Sequence, residues 1–544
     1  MAVSEQEVPV LVVGGSLVGL TTSVLLASHG VRHMLIERHR GTAIHPRAAS
    51  FHQRTMEIFR SVGLQQAVEA AAAREFVQNG AIISVDALSG RELACFYRSF
   101  NEGVEGLSPT SRLFITQIGL EPVLSERARE LGAEHHYATE MASFEQDDAG
   151  VVAVLRPRNG GPERRVRARY MVAADGAHSF VRGQLGIDMT GRGTFADCVT
   201  IYFKADLRAL IGDRKLSVVY VNQPGLLGFF RFSITGDAGF LAVFATFDKD
   251  GSRSSHIDQY LAPTRYAALV RAALGVPADF PVAIDDVQPW SASAVTATAF
   301  RRGRVFLAGD AAHLMPPTGG FGGNTGIADA HNLAWKLALV LAGAAGPRLL
   351  DSYAQERKPQ CELIVEQAYA RYLKRVDSSL PATNLAPLLD DAAIELGSVY
   401  GSDAVLDEEE TGGATALLED PRKPSGRPGT RVPHIMLERN DVPLSTHDLA
   451  ETGFVLLAGV GGRNWTEAGN DLAVATGIPL KAHRIAPDGD LVNPDGRFEQ
   501  TVGIGPEGAL LLRPDGVIGW RSRGPHPDPR ARLDEVMGRL TFRR

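Results

Sequence analysis

The segment Val8-Pro-Val-Leu-Val-Val13 runs directly into the glycine-rich segment Gly14-Gly-Ser-Leu-Val-Gly19. The apolar, valine-rich run predicts a buried parallel strand. The apolar spacing from Leu20 to Gly30 predicts a helix, and Arg32–Ile36 reads as a second strand, followed by Glu37. Strand, glycine turn, helix, strand and acid in this order indicate a dinucleotide-binding βαβ unit.

The glycine turn has a physical reason at each position. Gly14 permits a tight turn, and Gly19 lets the helix pack closely on the strand. Ser16 stands where the usual pattern has its middle glycine, and its small side chain still lets a pyrophosphate approach the backbone N–H groups. Glu37 follows Gly14 at about the 20-residue distance expected of a ribose acceptor. The turn by itself does not distinguish NAD from FAD.

Two later motifs extend the pattern. Ala173-Ala-Asp-Gly-Ala-His-Ser-Phe-Val-Arg182 follows the end of a predicted strand, and Gly303-Arg-Val-Phe-Leu-Ala-Gly-Asp-Ala-Ala-His313 contains another. The strand at Val305 places Asp310 at its carboxyl end, where open α/β sheets bind ligands. After the glycines at 319–323, a long helix is predicted from Asn324 to about Leu341. Its positive end would face whatever binds over that loop.

These motifs together resemble the class A FAD-dependent aromatic hydroxylases, whose fold is that of para-hydroxybenzoate hydroxylase. The resemblance covers about residues 8–380. Further matching segments are His45-Pro-Arg-Ala48, Arg54-Thr-Met-Glu57, Gln117-Ile-Gly-Leu-Glu121 and Tyr353-Ala-Gln-Glu-Arg357. Within the family the chain resembles the aromatic polyketide hydroxylases, through Ser425-Gly-Arg-Pro-Gly429, Leu444-Ser-Thr446 and Arg513-Pro-Asp-Gly516.

The resemblance implies a three-layer Rossmann-like α/β domain for FAD, an antiparallel β-sheet substrate domain and a thioredoxin-like C-terminal domain. The FAD domain is expected in three parts, residues 1–79, 107–188 and 287–400 with its long helices. The substrate domain is expected at 80–106 and 189–286. A linker at 401–426 then leads to the C-terminal domain at 427–544, which contains no cysteine and therefore no CxxC motif.

The resemblance also assigns residues to the cofactor. Next to the pyrophosphate and adenosine it places Gly14, Ser16, Leu17, Val18, Gly19, Glu37, Arg38 and, through its backbone, Met141. Around the ribityl chain and flavin it places Arg47, Gln117, Asp175, Asp310, Pro317, Gly320, Gly322, Gly323, Asn324 and Thr325. The alternatives are that Asp175 is an ordinary turn residue and that Arg47 is a solvated surface charge.

Substrate and catalytic residues are expected in two places. Phe229, Phe230 and Phe244, on predicted strands of the substrate domain, are candidates for an apolar cavity, although strand alternation points only some of them to one face. Arg375, on a helix that borders the substrate pocket in the family, and His313, beside the flavin loop, are candidate catalytic groups. A solvated arginine and a structural histidine are the alternatives.

The activity that the resemblance implies is hydroxylation of a bulky phenolic, polyketide-derived polycyclic substrate. FAD, NADPH or NADH, and O₂ are the expected cofactor and co-substrates, with oxygen transferred from a flavin C4a-hydroperoxide. A Baeyer–Villiger oxygenation on the same scaffold and a non-catalytic flavoprotein scaffold are the alternatives. Trp290 is followed by Ser-Ala-Ser, which excludes the W-x-W-x-I-P signature of flavin-dependent halogenases.

The composition limits the partners. The 544 residues carry 56 Lys and Arg against 63 Asp and Glu, a net charge of −7, which argues against nucleic acid as a partner. Three scattered cysteines have no metal-ligand spacing and fit a reducing, cytoplasmic setting, so no metal is expected. No apolar run is long enough for a membrane span. A small-molecule partner and a monomer or homodimer are expected.

Overall fold

The computed structural model describes residues 5–44, 49–247, 253–254, 261–408, 416–450 and 452–543. Within them no helix combines the length and the apolar character that a membrane crossing needs. The α-helices are Leu17–Ser28, Gln53–Ser61, Gln65–Glu75, Gln117–Glu130, Phe180–Gln184, Arg208–Ile211, Pro263–Leu274, Phe321–Leu341, Asp351–Arg375, Asp391–Leu396, Arg463–Thr476, Phe498–Val502 and Pro529–Leu540.

The first sheet has eight strands and carries the predicted βαβ unit. Its main path runs, in spatial order, through Arg301–Arg302, Val305–Leu307, Arg164–Ala173, Glu5–Val13, His33–Ile36 and Glu134–His136. Val151–Pro157 pairs with Arg164–Ala173, and Thr139–Gln146 pairs with Val151–Pro157. The central pairs are parallel, so their carboxyl ends meet at one edge.

The second sheet has nine strands and forms the expected substrate domain. Its main path is His313–Leu314, Ala283–Ala297, Met189–Lys204, Ala238–Phe247, Leu226–Phe232, Leu216–Gln223, Ala81–Val85 and Glu92–Tyr97, with Arg253–Ser254 beside the fourth strand. The prediction of an antiparallel sheet is wrong for one pair of strands, because Leu216–Gln223 pairs in parallel with Ala81–Val85. Ala283–Ala297 pairs along its length with Met189–Lys204, so the sheet continues past the predicted boundary at 286.

The C-terminal unit has a four-stranded sheet in the order Leu480–Arg484, Phe454–Ala458, Ala509–Leu512 and Ile518–Ser522. The first two strands are parallel and joined by the Arg463–Thr476 helix, and the other pairs are antiparallel. This arrangement confirms the expectation that the C-terminal domain has a thioredoxin-like α/β fold. Before this sheet lies the short hairpin Met436–Arg439 and Val442–Ser445, and a two-stranded ribbon, Ser50–Phe51 with Leu113–Phe114, lies beside the first sheet.

A fully buried charge cluster joins the C-terminal unit to the two long helices. Both guanidinium Nη atoms of Arg513 donate to Glu356, at 2.5 and 3.0 Å, and Arg513 also contacts Asp515. Glu356 accepts in addition from Lys336 Nζ at 2.8 Å, and Asp515 accepts from the indole of Trp335. Burial lowers the pKa of Lys336 to about 8, although Glu356 opposes the shift. Because the charges compensate one another, removing one partner would leave an unpaired buried charge.

Candidate functional site at the carboxyl edge of the first sheet

The glycine loop brings backbone against backbone. Gly14 has a φ of +105°, and a Cβ there would lie 2.2 Å from the carbonyl oxygen of Ala174. A Cβ on Gly19 would lie 1.8 Å from the carbonyl oxygen of Gly14. Only glycine fits at either position, so the Leu17–Ser28 helix starts directly against the ends of the strands. Its first N–H groups lie at the edge of the sheet, where they can bind a phosphate.

Glu37 lies where the second strand ends. Its Oε2 accepts from the backbone N–H of Gly15 at 2.7 Å, and its Oε1 accepts from that of His39 at 2.8 Å. The side chain is 9% exposed and touches the glycine loop. A carboxylate fixed in this position is suited to accept hydrogen bonds from ribose hydroxyls.

Ser16 has a specific partner that sequence reasoning did not find. Its hydroxyl donates to Glu121 Oε1 at 2.6 Å, and the amide of Gln117 donates to both Ser16 Oγ and Glu121 Oε1 at 3.1 Å. Glu121 Oε2 accepts from Ala43 N–H, and burial raises the pKa of Glu121. The i, i+4 spacing of Gln117 and Glu121 on one helix was the available signal.

Asp175 is used within its own loop. Its Oδ1 accepts from Ser179 Oγ at 2.6 Å and its Oδ2 from the Val181 N–H at 3.1 Å. Burial raises the pKa of Asp175, while these hydrogen bonds oppose the shift. The side chain therefore supports the start of the Phe180–Gln184 helix, and a direct contact with cofactor stays a prediction.

Val18 lies where two helices and one loop pack against one another. A Cβ on Gly309, which has a φ of +61°, would lie 2.7 Å from Val18 Cγ2. A Cβ on Gly326 would lie 2.5 Å from the same methyl group. The first helix, the Gly-Asp motif and the Phe321–Leu341 helix therefore approach one another closely. Asp310, next to Gly309, has an exposed side chain at the carboxyl end of the Val305–Leu307 strand.

The Phe321–Leu341 helix begins after two left-handed glycines, with φ of +94° at Gly319 and +69° at Gly320. Asn324 Oδ1 accepts from His52 N–H at 2.9 Å and from Thr55 Oγ1 at 2.6 Å. Its amide nitrogen donates to the carbonyls of Ser50 and Gly320. Because the side chain of Asn324 is committed to these bonds, a ligand at this helix end would be met by backbone N–H groups.

The other predicted cofactor residues differ in burial. Leu17 is buried and Thr325 donates its hydroxyl to the carbonyl of Phe321. Five others are exposed or half-buried, namely Arg38, Met141, Pro317, Gly322 and Gly323. Arg47 lies outside the described residues, so its assignment stays a prediction.

Asp329 is the centre of a buried cluster behind the Gly-Asp motif. Its Oδ2 accepts from Gly309 N–H at 3.0 Å and from His313 Nε2 at 2.7 Å, and its Oδ1 accepts from Arg357 Nε at 2.8 Å. Burial opposes a charged imidazole, but Cys361 and Asp329 raise the pKa of His313 well above its usual value. His313, Asp329 and Cys361 are residue types that bind metals, and they lie within reach of one another. The carboxylate of Asp329 is, however, already neutralised by Arg357.

His313 is 1% exposed and holds the loop that carries Asp310. This burial favours the structural alternative over a general base that touches substrate. Arg375, by contrast, is half-buried at the end of the Asp351–Arg375 helix, with its guanidinium carbon 5.6 Å from the ring centre of Phe96. Its position borders the second sheet, and a role near the substrate stays a prediction.

Two of the three candidate phenylalanines face the long helix. Phe244 packs 5.6 Å from Phe229 and 5.7 Å from Tyr372 of the Asp351–Arg375 helix, measured between ring centres. Phe230 is placed differently from the expectation. It lies 6.0 Å from Phe203 in the cluster on the other face of the sheet, fully buried. Neighbouring strand residues point to opposite faces, so Phe229 and Phe230 cannot both line one cavity.

The edge as a whole fits FAD. It offers a carboxylate for ribose at Glu37, two helix N-termini with backbone donors, and the exposed carboxylate of Asp310 for hydroxyl groups. The glycine cradles at Gly14 and Gly19 would be filled by any Cβ. This donor and acceptor set matches a molecule with a pyrophosphate, sugar-like hydroxyls and an electron-rich ring system.

Comparison with known proteins agrees with this geometry. Residues 7–368 match the FAD binding domain family, and residues 425–541 match the aromatic-ring hydroxylase C-terminal family. The chain is 47% identical to a 4-methyl-5-nitrocatechol 5-monooxygenase of Burkholderia sp. over 98% of its length and 97% of the relative's. It is 39% identical to tetracenomycin A2 monooxygenase-dioxygenase of Streptomyces glaucescens, covering 99% and 98%.

A solved structure of aklavinone-11 hydroxylase with FAD and aklavinone superimposes with a TM-score of 0.91 at 36% identity, covering 99% of this chain and 100% of that one. The resemblance inferred from the motifs is thereby confirmed, as are FAD as cofactor and NAD(P)H and O₂ as co-substrates. The chain belongs to the FAD-dependent aromatic-ring hydroxylases and is a monooxygenase of that family.

Proposed function

We propose that this enzyme hydroxylates the phenolic ring of a bulky, polycyclic, polyketide-derived substrate. The observation that carries the proposal is the aromatic wall between the second sheet and the Asp351–Arg375 helix. Phe229, Phe244, Trp290 and Tyr372 pack there as one set of rings, with centre-to-centre distances of 5.6 to 6.0 Å. Flat rings that stack or meet edge to face suit an extended aromatic guest. Relatives named for tetracenomycin A2 and aklavinone support the same substrate class.

The cofactor roles follow the geometry of the edge. The glycine loop and Val18 take the pyrophosphate, Glu37 takes the adenosine ribose, and Asp310 takes the ribityl hydroxyls. The backbone N–H groups that begin the Phe321–Leu341 helix would hold the flavin ring. The positive end of this helix favours the negative charge of a reduced flavin.

FAD held at this edge would supply the redox chemistry that activates O₂, with NAD(P)H as the source of electrons. The chain supplies position, exclusion of water and charge. Arg375 is proposed to stabilise a substrate phenolate from the border of the aromatic wall. His313 is proposed as a positioning residue, because its hydrogen bond to Asp329 at 2.7 Å fixes the loop of Asp310.

A second candidate substrate is a single nitrated catechol ring. It is favoured by the 47% identity with 4-methyl-5-nitrocatechol 5-monooxygenase over nearly the full length of both chains. Both candidates need the same cofactor chemistry and differ in the size of the guest. Ranking the two substrate classes by kcat/KM separates them.

The test is a stopped-flow experiment with the FAD-loaded enzyme, NADPH or NADH, and a panel of phenolic polycycles and nitrocatechols. We expect substrate to accelerate flavin reduction and the product to gain one oxygen atom as a ring hydroxyl. Oxygen inserted next to a ketone would identify the Baeyer–Villiger alternative. Reduction that no aromatic compound accelerates would contradict the proposal. Light scattering of the same sample decides between monomer and homodimer.

A further inference from the structure

A cavity of about 60 Å³ lies between the Phe321–Leu341 helix and the C-terminal unit. The helix lines it with Phe321, Thr325 and Ala328, which share one helical face because they are three or four residues apart. The C-terminal unit lines it with Arg431 and Val517. A cavity of this size has room for a small ion or a few water molecules.

The wall of this cavity is rich in guanidinium groups. Arg54, Arg357 and Arg431 all line it, whereas Glu395 is the single carboxylate among the described residues of the wall. The charge of Glu395 is already used, because its Oε2 lies 2.7 Å from Nη2 of Arg112. The three arginines therefore depend on carboxylates outside the wall for their counter-charges.

Glu57 is the counter-charge of two of these arginines at once. Its Oε2 accepts from Arg54 Nη1 at 2.9 Å and from Arg431 Nε at 3.0 Å, and its Oε1 accepts from Arg431 Nη2. Burial opposes a charged Glu57, but Arg431 holds the pKa of this carboxyl well below its usual value. One carboxylate cannot neutralise two guanidinium groups, so one positive charge is left over.

The neighbouring groups do not remove this excess. Burial lowers the pKa of His447, 3.8 Å from Glu57, well below its usual value, so His447 is neutral at neutral pH. Asp329, the counter-charge of Arg357, is shared in the same way with His313. A buried positive charge without a counter-charge is unfavourable, because its lost hydration is not compensated.

Hydrogen-bond donors at the cavity are also left without acceptors. Among the described residues, Arg54 donates through Nη1 and Nη2 only, and Arg431 donates through Nε and Nη2 only. Nε of Arg54 and Nη1 of Arg431 are thus free to donate, and Arg431 is only 9% exposed. Tyr400, another wall residue, accepts from Arg357 Nη1 at 3.1 Å and keeps its own proton to donate.

We propose that this cavity binds a small monovalent inorganic anion, such as chloride. The anion supplies the missing negative charge and accepts hydrogen bonds from Arg54, Arg431 and Tyr400. A cation would be repelled by the three guanidinium groups, and water alone would leave the charge uncompensated. The anion links the C-terminal unit to the helix that begins at the cofactor edge. Its binding is separate from the proposed hydroxylation and needs no aromatic substrate.

The first test measures thermal unfolding of the FAD-loaded enzyme without NAD(P)H or substrate. Sodium gluconate is replaced stepwise by sodium chloride or bromide at constant ionic strength, since gluconate is too large for the cavity. We expect the unfolding midpoint to rise by about 2 °C or more and to saturate, as binding to the folded state requires. A midpoint that does not change, or that rises without saturation, would overturn the proposal.

The second test locates the ion. Crystals of the FAD-loaded enzyme grown in sodium bromide should show an anomalous bromide peak in the cavity, beside Arg54 and Arg431. Bromide peaks confined to other places, at a concentration that saturates the thermal shift, would contradict the assigned site.

Variants then connect the thermal shift to the excess charge. R54Q leaves Glu57 and Arg431 as a balanced pair, so the halide-dependent rise should disappear while the midpoint in gluconate stays equal or becomes higher. R60Q is the matched control, because Arg60 lies on the same helix and has its own counter-charge in Asp448. R60Q should keep the halide-dependent rise. A full rise in R54Q, or its loss in R60Q, would contradict the assignment.

A second variant changes the volume of the cavity and keeps its charge. A328L places a larger side chain in the cavity and should abolish the halide-dependent rise. A338L is the control, because Ala338 is half-buried on the same helix and does not line the cavity. A328L that keeps the full rise would contradict the site. If R54Q and A328L both fail to fold, the bromide peak of the unaltered enzyme decides.

Discussion

Asp329 and His313 are joined by a 2.7 Å hydrogen bond between Oδ2 and Nε2, and neither side chain reaches solvent. The same carboxylate oxygen accepts from the backbone N–H of Gly309. One buried carboxylate thus fixes the strand end that presents Asp310 at the cofactor edge. Because His313 can titrate, the contribution of this pair to the stability of the folded chain depends on pH.

The H313Q variant is expected to lose stability in a pH-dependent way. The pKa of His313 is raised well above its usual value of about 6.5 in the folded chain. Its contribution is therefore fully present below about pH 6.5 and is lost as the pH rises through the folded-state pKa. Urea unfolding of both proteins from pH 6 upward measures this. A difference between them that grows with rising pH would contradict the assignment.

The D329N variant is expected to lose FAD and stability together. It leaves Arg357 and His313 without their buried counter-charge, at a cost of about 3–5 kcal/mol. Cofactor content and urea unfolding measure the two effects. D351N is the control, because Asp351 pairs with Arg301 and is half exposed. Full FAD retention and unchanged stability in D329N would show that the carboxylate does not hold this loop.

The D310A variant is expected to purify mostly without flavin. The exposed carboxylate of Asp310 lies at the carboxyl edge of the sheet, where hydroxyl groups of the ribityl chain need an acceptor. The ratio of flavin to protein absorbance measures the loss. D213A, on an exposed turn of the second sheet's domain, should retain its flavin. A normal ratio in D310A would contradict the proposed role.

The G309A variant separates crowding from backbone strain. A Cβ at Gly309 would lie 2.7 Å from Val18, whereas at Gly343, with a φ of +71°, no atom lies within 4 Å. Both substitutions impose a left-handed alanine, which costs about 1–2 kcal/mol. We therefore expect G309A to lose more stability and more FAD than G343A. Thermal unfolding with and without added FAD measures both, and equal losses would argue against close packing at Val18.

The substrate wall gives a comparison within one sheet. F244A should raise KM for a polycyclic phenol about tenfold, because it removes a ring from the proposed guest surface. F230A should cost about 3–5 kcal/mol of stability and leave KM unchanged, because Phe230 belongs to the core on the other face. Steady-state kinetics and urea unfolding measure the pair. The reverse pattern would place the substrate on the Phe230 face of the sheet and contradict the proposal.

Local motifs made much of the site predictable. The turn at Gly14 and Gly19 and the strand before Asp310 follow from short segments whose geometry is set by their neighbours in the chain. The pairing of Ser16 with Glu121 was not predicted, because the two residues are 105 positions apart in the chain. For Phe229 and Phe230, alternation shows that they face opposite ways and does not show which one faces the cofactor.

The buried contact of Arg513 with Glu356 and Lys336 limits how the family can recombine its parts. A chimera that receives the C-terminal unit of a relative inherits one half of a charge-compensated set and must find the other half on the host's long helices. Exchange of the unit is therefore neutral only between relatives that carry the same donor and acceptor pattern. Residues 336 and 356 are expected to change together with residues 513 and 515 as lineages diverge, although the two pairs are far apart in the chain.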